Sequence, residues 1–166
     1  MRNHILFLTL FLFGFIGGCL PAPVSPTPSN VAHTKKGSAA FRRSGEQMVV
    51  EVTLNRTVRT HFLVDTGAGL TMIPSAAARE LGITLHAKLP TVPVQTVANV
   101  IHVPLVVLDS VEVGGMEVKD LTVAVHDVPI FDPYLPGPLG LLGRNFLGNF
   151  RVEIDLNEGF LRLEKR

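Results

Sequence analysis

Asp65 is the residue of this chain best placed to do chemistry. It ends the apolar run Phe62-Leu63-Val64 and is followed by Thr66, Gly67 and Ala68. Such a strand delivers a carboxylate to the edge of a hydrophobic core. The glycine lets the backbone turn sharply and approach a ligand closely. An isolated buried carboxylate is costly, so one at this place needs partners or a use. A single turn-forming Asp at a strand end accounts for the tripeptide equally simply. A second segment, Gly140-Leu141-Leu142-Gly143-Arg144-Asn145-Phe146-Leu147, sets two apolar residues between glycines, then a polar pair, then two more apolar residues. By itself it reads as a strand running into a capped helical turn.

Other chemistries find little to work with. The six histidines (His4, His33, His61, His86, His102 and His126) show no close metal-ligand spacing, so no metal site is expected from them. There is no Ser-His-Asp arrangement and no phosphate-cradling glycine loop. The formal net charge of +1, with no Lys/Arg run longer than two, gives nucleic-acid binding no support.

The elements that must position Asp65 are mostly strands. Met48–Leu54 and Val58–Val64 are rich in β-formers and flank Asn55-Arg56, a tight turn that departs from the ideal Asn-Gly. Pro74 to Gly82 has a helix start, an alanine run and a glycine stop, with Leu81 and Ile83 as anchors to the core. Strands return from Val92 to Val125, turning at Gly114-Gly115. Residues 127–139 carry Pro129, Pro133, Pro136 and Pro138 and form a loop. Phe150–Asp155 and Phe160–Leu163 close the chain as a hairpin. The fold class is therefore mostly β with one or two short helices. At 46% apolar and 17% charged residues, the composition supports a packed core.

The N-terminal region differs. Arg2 and His4 precede an apolar run, Ile5 to Ile16, that is too short for a comfortable membrane span; small residues and Cys19 follow. A charged start, an apolar stretch and small residues describe a secretory signal. Ile16-Gly17-Gly18-Cys19 resembles the bacterial lipobox, which implies lipidation of Cys19, the only cysteine. Residues 1–18 are thus expected to be a signal peptide. Residues 19–45, with Pro21, Pro23, Pro26 and Pro28, are expected to be a lipid-bearing flexible tether without fold, and 46–166 the functional domain. The expected location is exported and held at a membrane by the lipid, on its periplasmic or extracellular face.

In this order, Leu63-Val64-Asp65-Thr66-Gly67-Ala68 and Leu141-Leu142-Gly143-Arg144-Asn145 resemble the two hallmarks of the retropepsin-like aspartic proteases. The likeness extends over roughly residues 46–163. It implies an acid-protease half-barrel closed by homodimerisation, because only one Asp-Thr-Gly is present and Asp109-Ser110-Val111 lacks the glycine. It further implies an aspartic endopeptidase acting on peptide or protein substrates, with no metal or other cofactor. The two Asp65 carboxylates share a proton and activate a water. Thr66 bonds across the dimer axis, Gly67 presents backbone to an extended substrate, and Leu141 to Asn145 pack behind the site. A flap is implied near Thr91–Val103, with Val97, Ala98, Asn99 and Val100 at its tip. There this chain reads Ala-Asn-Val where bacterial relatives often read Ala-Asn-Gly. Gly69 and Leu70 follow Ala68 where viral members carry acids, so the usual acidic partner for Arg144 is missing at that place. A second reading keeps the fold without the chemistry: a membrane-tethered lipoprotein that binds extended peptides or a partner's strand. Asp65 separates the two, since only the enzyme requires it.

Overall fold

The computed structural model describes residues 35–95, 99–128, 134–135 and 137–166. The chain divides into two units, residues 1–32 and 33–166, and every described residue lies in the second. Cys19, the signal peptide and the N-terminal part of the tether fall outside the described residues.

Ten strands and two short helices follow in order: β1 Lys36–Ser44, β2 Gln47–Leu54, β3 Val58–Val64, β4 Met72–Ile73, α1 Ser75–Glu80, β5 Thr91–Gln95, β6 Val100–Val113, β7 Met116–Val125, β8 Gly140–Leu142, α2 Arg144–Leu147, β9 Phe150–Asp155 and β10 Phe160–Lys165. The sheet order is β5-β6-β7-β4-β8-β3-β2-β1-β10-β9, and a further pairing of β6 with β2 closes a six-stranded barrel of β2, β3, β8, β4, β7 and β6. Closure removes the unpaired edges that those strands would otherwise expose.

The turns obey local chemistry. Asn55 and Arg56 both take positive φ, 45° and 60°, the geometry that carries a two-residue hairpin between β2 and β3. The Arg56 guanidinium then reaches Glu117 on β7 at 2.7 Å. Helix α1 starts after Pro74, its first N–H donates to the Asp127 carboxylate at 2.8 Å, and it ends before Gly82. Val50, Val52, Leu54, Phe62, Val64, Leu108, Val111 and Phe146 are fully or nearly fully buried in the main core. The other face of β2 and β3 is covered too: Val49 and Leu63 pack against Leu139, with Leu135 beside them. That second cover explains why alternation gives way to apolar triplets where the two strands meet it, Met48-Val49-Val50 in β2 and Phe62-Leu63-Val64 in β3.

One expectation is corrected. Residues 36–44, assigned to the flexible tether, form β1. Lys36–Ala40 pairs antiparallel with β10, and Phe41–Ser44 with β2. Gly45, expected to be the last residue of the tether, is the positive-φ turn residue (60°) of the β1–β2 hairpin. Ala39, Ala40 and the buried Phe41 supply the apolar contribution; Lys, Arg and Ser at the exposed positions gave the segment the composition of a linker.

Candidate active site

The chain leaves β3 at Val64, passes through residues 65–71, and enters β4 at Met72. Strand β8 lies between the two, parallel to β3 (Leu63 opposite Leu141, Val64 opposite Leu142) and antiparallel to β4 (Met72 opposite Leu141). The loop therefore straddles β8. The two segments singled out in the sequence lie side by side, and the Asp65 N–H extends their ladder to the Leu142 carbonyl at 3.1 Å.

Asp65 is half-buried, while Thr66 and Gly67 are exposed. One carboxylate oxygen, Oδ1, accepts the Gly67 N–H at 2.8 Å and the Ala68 N–H at 3.1 Å. Among the described residues no hydrogen bond reaches Oδ2 or the Thr66 hydroxyl. The loop thus fixes the carboxyl plane through one oxygen and leaves the other toward solvent. Backbone N–H groups are suited to this task, because they cannot rotate away as a side-chain donor can.

The second segment builds the support. The Arg144 N–H donates to the Ala68 carbonyl at 2.8 Å, and the Asn145 N–H to the Gly69 carbonyl at 3.3 Å. The Asn145 side-chain oxygen accepts both the backbone N–H and the hydroxyl of Thr71, each at 2.8 Å. Its amide nitrogen donates to the Thr122 carbonyl on β7 at 2.7 Å. Thr71 Oγ1 in turn accepts the Gly143 N–H at 3.1 Å. One asparagine thus ties the end of the Asp65 loop to α2 and to the barrel wall. Gly143 makes this closeness feasible: a Cβ there would sit 2.5 Å from the Leu70 carbonyl carbon and oxygen.

Thr71 is the residue that the sequence reading missed. It is fully buried, one of two buried polar residues in the described chain. A threonine directly after Asp-Thr-Gly-Ala-Gly-Leu and before an apolar pair is the signal available for it, since a buried hydroxyl requires a partner.

The remaining site residues separate clearly. Leu141, Leu142 and Gly143 are buried beside the loop, whereas Arg144 is exposed and makes no ion pair among the described residues. Asp109-Ser110-Val111 lies within β6 and not in a loop that follows a strand, with Ser110 fully buried. β5 and β6 form an antiparallel hairpin over the span expected to be a flap, Gln95 opposite Val100. Asn99 and Val100 are exposed at its end, while Val97 and Ala98 lie outside the described residues. Among the described residues no three His, Cys, Asp or Glu side chains come together as a metal cluster.

A family model for aspartyl proteases matches residues 50–146, more than half of the chain, and takes in the Asp65 segment and the second segment as far as Phe146. Among solved structures, a retropepsin-like aspartic protease from Rickettsia conorii is similar with a TM-score of 0.58 and 26% sequence identity, over 80% of this chain and 93% of that one. No curated protein matches the chain. The closed barrel, the loop straddling β8 and the family match agree, and the chain belongs to the aspartyl protease family in its retropepsin-like form.

Proposed function

We propose that the protein is an aspartic endopeptidase whose active site forms when two copies pair. The observation that carries this reading is the asymmetric hold on Asp65: Oδ1 accepts two backbone N–H groups while Oδ2 has no partner among the described residues. A carboxylate held in this way serves as one half of a water-activating pair. Two Asp65 residues facing each other across a two-fold axis share one proton, because like charges so close cannot both ionise easily. The ionised member takes a proton from the water between them, the water attacks the scissile carbonyl, and the protonated member donates to the developing oxyanion. The Thr66 hydroxyl, without a partner among the described residues, supports a bond across the axis to the partner loop. The β5–β6 hairpin supplies an edge on which an extended peptide is closed in as an added strand.

The same proposal places the enzyme outside the cytoplasm, anchored by lipid on Cys19. The support is the order of charged start, short apolar run and Gly-Gly-Cys.

The test is cleavage of a peptide library by the full chain from mildly acidic to neutral pH, beside Asp65→Asn. Cleavage that vanishes in the variant and is blocked by a statine-type inhibitor is the expected result. A wild type that is folded, dimeric and inert would sink the enzymatic reading and leave peptide binding in its place. Radiolabelled palmitate incorporated into the wild type but not into Cys19→Ala checks the anchor.

A further inference from the structure

An open cleft of about 760 Å³ lies among the start of β7, the end of α2 and the end of β10. Lys35, Lys119, Lys165 and Arg166 line it. Glu117 is the acid in its wall, and it is already engaged by Arg56 at 2.7 Å. None of the four cations makes an ion pair or side-chain hydrogen bond among the described residues. On nearby β-strand positions the usual solution is pairing, as Lys36 pairs with Glu164 at 3.3 Å. A concave surface holding four unpaired cations of one sign attracts anions.

Two features of the chain select which anion. Lys35 is the first described residue, and its carbonyl accepts the Lys165 N–H at 3.1 Å, so the chain enters the domain at the cleft itself. The tether between Cys19 and this point, residues 20–34, reaches at most about 50 Å even when fully extended. Second, the cleft opens at the opposite end of β7 from the site. Lys119 precedes Ala124 by five residues, and Ala124 pairs with Met72, where the Asp65 loop ends. At about 3.3 Å per residue, that separation is roughly 16 Å.

We propose that this cleft docks the domain onto an anionic membrane surface, the phosphates of its headgroups lying against Lys35, Lys119, Lys165 and Arg166. The inference rests on the lipid anchor proposed above. Docking turns the Asp65 loop away from the bilayer. Two copies so oriented have their two-fold axis along the membrane normal, so pairing becomes a search in a plane rather than in a volume. Cations near an anionic leaflet each contribute about 1 kcal/mol, and salt screens the attraction.

The experiment partitions full-chain Cys19→Ala, which bears no lipid whatever happens to the wild type, onto vesicles. The vesicles are pure phosphatidylcholine or phosphatidylcholine with one quarter phosphatidylglycerol. The expected result is a partition coefficient on the anionic vesicles raised roughly ten-fold or more, lost in 0.5 M salt. Adding Lys119→Glu and Lys165→Glu abolishes the rise, while adding Arg79→Glu and Lys88→Glu, exposed residues away from the cleft, preserves it. Equal partition on both vesicles overturns the proposal, as does equal loss in the two charge-reversed proteins, which would reduce the effect to net charge. Tighter binding to poly-glutamate than to the anionic vesicles also overturns it, giving the cleft to an acidic protein partner. Palmitate labelling of the wild type reports the anchor separately, so failure of either idea is visible without the other.

Discussion

Two strand ends lie beside each other in the barrel, and they do opposite work. β3 ends in Asp65, half-buried, with one carboxylate oxygen unengaged among the described residues. Its parallel neighbour β8 leads through Gly143 into α2, where the Asn145 side chain makes three hydrogen bonds to the Asp65 loop and the barrel wall. The first end is under-connected and available for chemistry. The second is saturated and supplies shape. The contrast sets a carboxylate open to the proposed chemistry beside residues that hold the loop in shape, so substitutions should separate the two roles.

The sharpest break is expected at the first end. Asp65→Asn should lower peptide cleavage by roughly a thousand-fold or more, the upper range for a positioned acid–base group. Its thermal midpoint should stay close to wild type, because Asn still offers an oxygen to the Gly67 and Ala68 N–H groups. A large fall in the midpoint would show that Asp65 is also structural. At the second end, Asn145→Ala strands the Thr71 hydroxyl and N–H and should cost about 2–4 kcal/mol in chemical denaturation. Activity should fall only as the folded fraction falls. An Asn145→Ala protein of normal stability but without activity would reverse the roles assigned to the two ends.

Gly143→Ala should cost about 1–3 kcal/mol, since the methyl must displace the Leu70 carbonyl or shift α2. A neutral result would mean that the loop yields easily and does not hold Asp65 by tight packing. The smallest effect concerns acid stability away from the site. The Glu158 N–H, then the Arg162 guanidinium and the Asn157 N–H, hold the Asp155 carboxyl below its ordinary value of 3.8. A carboxyl depressed on folding contributes stability that is fully present above its unfolded value and is lost as pH falls through the folded one. Asp155→Asn should therefore flatten the stability profile slightly below pH 3.8 and leave the profile above it parallel to wild type. Unchanged slopes in urea titrations would remove that linkage.

Much of this was legible in the residues. The Asp65 strand, the Leu141-Leu142-Gly143 segment, the Asn55-Arg56 and Gly114-Gly115 turns and the short α1 all follow from apolar pattern and turn chemistry. What the sequence left hidden is non-local. β1 carries few apolar residues and gains its order from two different partners, β10 and β2, neither of which is visible from its own composition. Thr71 and Thr122 join the site only because α2 brings Asn145 to them across the barrel. Asp127 holds the start of α1 from a place 52 residues away. Polar partnerships of this kind are written in the fold, whereas hydrophobic periodicity is written in the chain.

The division of β1 between two partners has a mechanical side. A pull arriving from the N-terminal side meets Lys36 first, and must part the Lys36–Ala40 ladder with β10 before it reaches Phe41–Ser44 on β2. The barrel ring does not include β1. The first half of β1 can therefore part from β10 without breaking any pairing of the ring around Asp65.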